Sequence, residues 1–197
     1  MRANSGWRLI GVAIVTLCAC KQHGETTQAA ATSQQQVVRA AKNALMPFKK
    51  QLKAALQGGL AKGPEAAIAA CKDEAPRIAA KARSAGVELG RTSHRLRNPA
   101  NAPPDWVRPI LDRYVAGGKP LDEPTVERLG DGRWGYVEPI ALQPMCTTCH
   151  GKQLAPSVAQ RLGALYPQDQ ATGFEPGELR GLFWVTLTDD AVARLAN

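Results

Sequence analysis

The sequence predicts an α+β domain in which helices lead and an antiparallel sheet follows. Three observations predict it. Residues 34–57 and 64–84 carry apolar side chains at helical spacing. Residues 180–188 alternate, with Phe183, Val185 and Leu187 on one face and Leu182, Trp184 and Thr186 on the other. Helices and strands are segregated along the chain, with no regular βαβ alternation. The 197 residues are 44% hydrophobic and 21% charged, which excludes a disordered chain, a collagen-like repeat and a multi-span membrane protein.

The elements follow in chain order. Arg2 and Arg8 flank the short apolar stretch Leu9 to Leu17, the pattern of an export signal and too short for a permanent anchor. Leu17-Cys18-Ala19-Cys20 resembles a bacterial lipobox, with Cys18 where Ala or Ser is commoner. Residues 1–19 therefore read as a lipoprotein signal peptide and Cys20 as the lipidated residue. Cys18, Cys20 and His23 could also gather a metal, but an export signal is a poor place for one. Residues 20–33 are small and polar and read as a flexible tether. The domain occupies 34–197, held at the membrane through its lipid alone.

In the first helix Val37, Ala41, Ala44, Leu45, Phe48, Leu52 and Leu56 form the stripe, and Pro47 is expected to kink or break it. A second helix is predicted from Pro64 to Ser84, with Pro at its start, Gly86 beyond its end and Pro76 disturbing its middle. Val87 to Ser93 is a short strand, and a polar loop runs on to Pro104. A third helix is expected from Pro104 to Val115, stopped by Gly117-Gly118. Strands are predicted at Gly132 to Leu142 and Arg180 to Thr188.

The net charge of +8 does not point to nucleic acid, because Lys and Arg are dispersed without interleaved aromatics. Solubility and attraction to an anionic surface or acidic partner account for it.

Cys146-Thr147-Thr148-Cys149-His150 is C-x-x-C-H, the attachment sequence of c-type haem. Two thiols at that spacing add across the two porphyrin vinyl groups, and the adjacent imidazole reaches the iron. In a chain with five cysteines and three histidines the motif arises by chance about 0.002 times. A thioredoxin-like pair would need a βαβ context, and a zinc site would need a second ligand pair that only Cys71, His23 and His94 could supply. An ordinary disulfide is the remaining bland reading. One covalently attached haem c is therefore expected. For the opposite iron face the residues alone leave Cys71, His94, Met46 and Met145 open. Cys71 lies on an apolar helical stripe, where a small buried hydrophobe is the simpler reading.

Four blocks carry a resemblance. They are Ala70-Cys71 with Ala75 to Ala79, Arg91 to Ser93 with Leu96 to Pro103, Cys146 to Gly151, and Tyr166 to Phe174 with Gly177 to Gly181. In that order they resemble a bacterial family of exported c-haem domains with a PAS-like fold, whose structural prototype is a cyanobacterial haem protein. The resemblance covers residues 64–187. It implies a PAS-like antiparallel sheet with N-terminal helices, thioether bonds at Cys146 and Cys149, and iron held by His150 and Cys71.

Anionic thiolate favours ferric iron, so such a site should have a low potential and should loosen its cysteine on reduction. That expectation favours a redox or diatomic-gas sensor in the periplasm. A tethered electron-transfer cytochrome is the alternative, since the sequence names no signalling or redox partner. A peroxidase-like enzyme would need an open iron face and is not expected. Arg91, Arg95 and Arg97 are candidates for the haem propionates, with a solvated basic loop as the plain alternative. Trp134, Tyr136 and Trp184 could line the pocket or simply fill the core. Asp169 and Arg180 fall in recognised blocks without a derivable role. Lys21, in place of the Asp that retains lipoproteins at the inner membrane, favours the outer membrane.

Overall fold

The computed structural model describes Met1 and residues 22–197, with side-chain environments from Gln34 onward among the latter. The signal peptide and Cys20 lie outside the described residues. Helix α1 (Gln22–Leu60) and helix α2 (Pro64–Ala82) pack together as an antiparallel pair. They precede β1 (Val87–Thr92), α3 (Arg108–Val115), β2 (Thr125–Arg128) and β3 (Trp134–Ala141). The single-turn α4 (Thr147–His150), α5 (Pro156–Leu165), β4 (Leu179–Leu187) and α6 (Asp189–Leu195) complete the chain. The strands form one antiparallel sheet in the order β1-β4-β3-β2, so the last strand is central. The α+β class, the antiparallel sheet and the leading helices are as the sequence predicts.

Burial on both faces explains the sheet. Val185 and Leu187 of β4, Leu89 of β1 and Tyr136 of β3 pack against Val37, Ala41, Leu45 and Phe48 of α1. On the other face Leu182 and Val137 meet Val107, Ile110, Leu111 and Tyr114 of the α3 region. Trp106 and Trp184 meet edge to face at 6.4 Å. A Cβ on Gly90 would lie 2.7 Å from the Trp184 ring, so the strand pair closes over that indole only with glycine there.

Neither helix-internal proline breaks its helix, so of the two outcomes expected for Pro47 the break does not occur. Pro47 and Pro76 sit inside continuous helices. Each is exposed, and the residues four positions earlier, Asn43 and Lys72, are exposed as well. Water can therefore satisfy the carbonyl each proline orphans, while the buried stripe holds the helix together. The stretch read as a tether is helical from Gln22, in keeping with its Ala and Gln content. Helix α3 begins at Arg108 because Pro104 to Val107 form a turn in which the Pro104 carbonyl accepts from Val107 and Arg108. Four further elements appear where the sequence reading placed none: β2, the single-turn α4, α5 and α6.

Candidate haem-attachment site

Cys146, Cys149 and His150 lie on a tight turn. Pro144–Cys146 form a 3-10 turn that runs directly into α4, with Cys146 N–H donating to Gln143 and Gly151 N–H to Thr147. The two thiols enter different apolar surroundings. Cys146 packs on Leu142, Ala171 and Phe174, and Cys149 packs on Ile68, Val158, Leu162 and Tyr166. Both are half-buried and free of disulfide bonds.

The imidazole of His150 is oriented by the chain itself. Its Nδ1 lies 2.6 Å from the Ala171 carbonyl oxygen and 3.3 Å from Arg180 Nε. A carbonyl can only accept, so Nδ1 carries the proton and donates to Ala171. The Arg180 contact is then a cation set beside an N–H, not a second hydrogen bond. Nε2 keeps its lone pair, the state a metal-ligating histidine needs. Burial and the charges of Arg180 and Arg97 push the His150 pKa down to about 3, so the ring is neutral at physiological pH.

A second network locks this geometry. Arg97 donates through Nη2 to the Cys149 carbonyl at 2.5 Å and to the Ala171 carbonyl at 3.3 Å. Its Nε donates to Asp169 Oδ2 at 3.1 Å, and Asp169 Oδ1 accepts from Ala171 N–H at 2.8 Å. The pair is mostly buried, with side chains 14% and 10% exposed. Phe174 N–H donates to the His150 carbonyl and Gly173 N–H to that of Gly151, so the loop forms a short parallel bridge to the motif. Arg95 donates to the Gln170 and Thr172 carbonyls and stacks on Phe174 at 4.4 Å.

Cys71 reaches the same region, because α2 packs on both α4 and α5. Burial raises its thiol pKa, and the charges of Arg91 and Arg97 pull it back. Among the described residues Arg91 meets no carboxylate partner, and the groups opposing its charge are Cys71 and Tyr166. Arg91 is thus free to meet an anionic ligand group, whereas the other two propionate candidates donate elsewhere, Arg97 to Asp169 and to the Cys149 and Ala171 carbonyls and Arg95 to the Gln170 and Thr172 carbonyls. His94 is exposed and edge-on to Phe174 at 5.8 Å. Met46 is 59% exposed on α1, against β3 and the segment before β2, and Met145 is 46% exposed beside the motif.

Trp134, Tyr136 and Trp184 do not join the clusters around the thiols; Tyr136 is core and Trp134 Nε1–H donates to Asp189. The aromatic residues at the site are Phe174 and Tyr166. Both stand in the fourth sequence block, which was the only signal for them.

The Tll0287-like family model matches residues 21–188. The chain belongs to the Tll0287-like family. The crystal structure of the cyanobacterial heme-protein Tll0287 superposes with a TM-score of 0.54 at 24% identity, covering 74% of this chain and 92% of that one. That likeness supports the fold. A comparison with curated proteins finds no match.

A porphyrin suits this region of the Tll0287-like chain. Two thiols at attachment spacing face apolar walls, an imidazole offers a free Nε2, and among the described residues the Arg91 guanidinium beside Cys71 and Tyr166 has no carboxylate partner.

Proposed function

We propose that this protein is a periplasmic c-type haem protein, tethered by a lipid on Cys20, that acts as a redox or diatomic-gas sensor. The observation that carries the haem reading is the His150 imidazole, with Nδ1–H fixed on the Ala171 carbonyl beside two half-buried thiols. Family membership supports it, since the structural neighbour Tll0287 is described as a heme-protein. Haem at this site would supply a one-electron iron couple and an exchangeable coordination position. Cys146 and Cys149 would hold it covalently, His150 Nε2 would bind the iron and Cys71 would take the opposite face.

The sensor reading rests on Cys71. Arg91 and Arg97 favour the sulfur as thiolate, whereas burial favours the protonated thiol. As a thiolate Cys71 would hold the iron, and as a protonated thiol it would not. Because Cys71 sits midway along α2, its release would be felt by α4 and α5, which that helix packs against. An electron-transfer cytochrome is the second reading. It is favoured by exposed Met145 and Thr148, which bring the motif to the surface.

Absorption spectra of the oxidised and reduced protein, matured with haem, test the reading. Thiolate bands are expected in the ferric wild type, absent from Cys71→Ala, with a change of ligand on reduction. Identical wild-type and Cys71→Ala spectra in both states would make Cys71 a core residue and favour the electron carrier.

A further inference from the structure

Arg180 is the second residue of β4 and is carried to His150 by tight strand pairing. Its carbonyl accepts from Ser93 Oγ at 2.7 Å. The next residue, Gly181, is so close to β1 that a Cβ there would lie 2.1 Å from the Thr92 carbonyl oxygen. The guanidinium stands over the Phe174 ring at 5.4 Å, with Nε 3.3 Å from His150 Nδ1. Among the described residues Arg180 forms no ion pair within 4.0 Å; Asp169, the carboxylate that offsets its charge, is bonded to Arg97. A half-buried cation is thus held against the edge of the imidazole that faces away from its free nitrogen.

We propose that Arg180 is a positioning residue that sets the electron-donating strength of His150 and thereby raises the reduction potential of the bound iron. This rests on the haem reading above. The Nδ1–H bond to Ala171 pushes the imidazole toward imidazolate, which strengthens its bond to iron and favours the ferric state. A guanidinium beside Nδ1 makes that shift costly, and Arg97 adds to the effect by sharing the Ala171 carbonyl. The two cations oppose the thiolate of Cys71, keeping the ferrous state within reach and so allowing the couple to switch.

The test is redox titration of the haem-loaded full chain, comparing wild type with Arg180→Gln, Arg180→Met and Arg180→Lys. Either neutral variant should shift the Fe(III)/Fe(II) equilibrium about tenfold toward ferric, about 59 mV lower for a one-electron couple. Arg180→Lys should recover most of that shift. The iron–histidine stretch, read by resonance Raman in a ferrous Cys71→Ala background, should rise in the neutral variants and return in Arg180→Lys. An unmoved potential overturns the proposal. So does a lowered potential with an unchanged stretch, which would place Arg180 on a propionate instead. A wild type that takes up no haem overturns the reading of function, a separate result.

Discussion

Asp169 divides its two oxygens between main chain and side chain, and in doing so ties three segments together. Oδ1 accepts from Ala171 N–H, and Oδ2 accepts from Arg97, whose other donors fall on the carbonyls of Cys149 and Ala171. Losing the carboxylate leaves a mostly buried guanidinium uncompensated. Asp169→Ala should destabilise the protein by about 3 kcal/mol in denaturant unfolding, the cost of breaking a buried pair. Asp169→Asn keeps an acceptor for the Ala171 amide and should cost less. If both variants unfold like the wild type, the pair does not hold the site. None of this was legible beforehand. Asp169 and Arg97 are 72 residues apart, and a lone Asp in a loop carries no local signal of its partner.

At the scale of elements, the parts read correctly are those whose signal is periodic and self-contained. The central strand β4 turns successive side chains to opposite faces, both covered, and the stripes of α1 and α2 face the interior as their spacing requires. Short elements are set by their contacts instead. The four residues of β2 form a strand because β3 pairs with them. Helix α6 is fixed at its start, where Thr188 Oγ1 accepts from Ala191 N–H and Asp189 receives a two-pronged bond from Arg128 and another from Trp134 Nε1. Those donors hold the Asp189 pKa at about 2, below its usual 3.8. A carboxylate depressed in the folded state stabilises it fully above the unfolded value, and the contribution drains as pH falls. Asp189→Asn should therefore melt below the wild type above pH 3.8, with the gap closing toward pH 2. Circular-dichroism melts across that window check it, and a gap constant with pH would remove Asp189 from the acid response.

For the whole molecule, the proposed tether makes a prediction the domain itself does not. Among the described residues no helix is long and apolar enough to cross a membrane. If Cys20 carries lipid, Cys20→Ser should move the protein from the membrane fraction to the soluble periplasmic fraction without changing its haem spectrum. Membrane association unaltered by Cys20→Ser would refute the anchor.

The same division of scale separates what the sequence determined from what tertiary structure decided. The C-x-x-C-H spacing of Cys146, Cys149 and His150 was readable because the chain carries covalent spacing in any conformation. The helical stripes were readable because burial of one face leaves a period in the residues themselves, and β4, buried on both faces, because it is a short continuous apolar run. The four blocks pointed to a family but gave no reason why Asp169, Arg180 or Phe174 should belong to the site. Folding supplied that reason by setting Arg97 beside the Ala171 carbonyl and Arg180 beside the His150 ring. The proton on Nδ1, the neutrality of His150 and the field around Cys71 arise from groups that lie far apart in the chain, Ala171 being 21 residues and Arg180 30 residues from His150. Electrostatics acts through distance in space, which residue order does not encode.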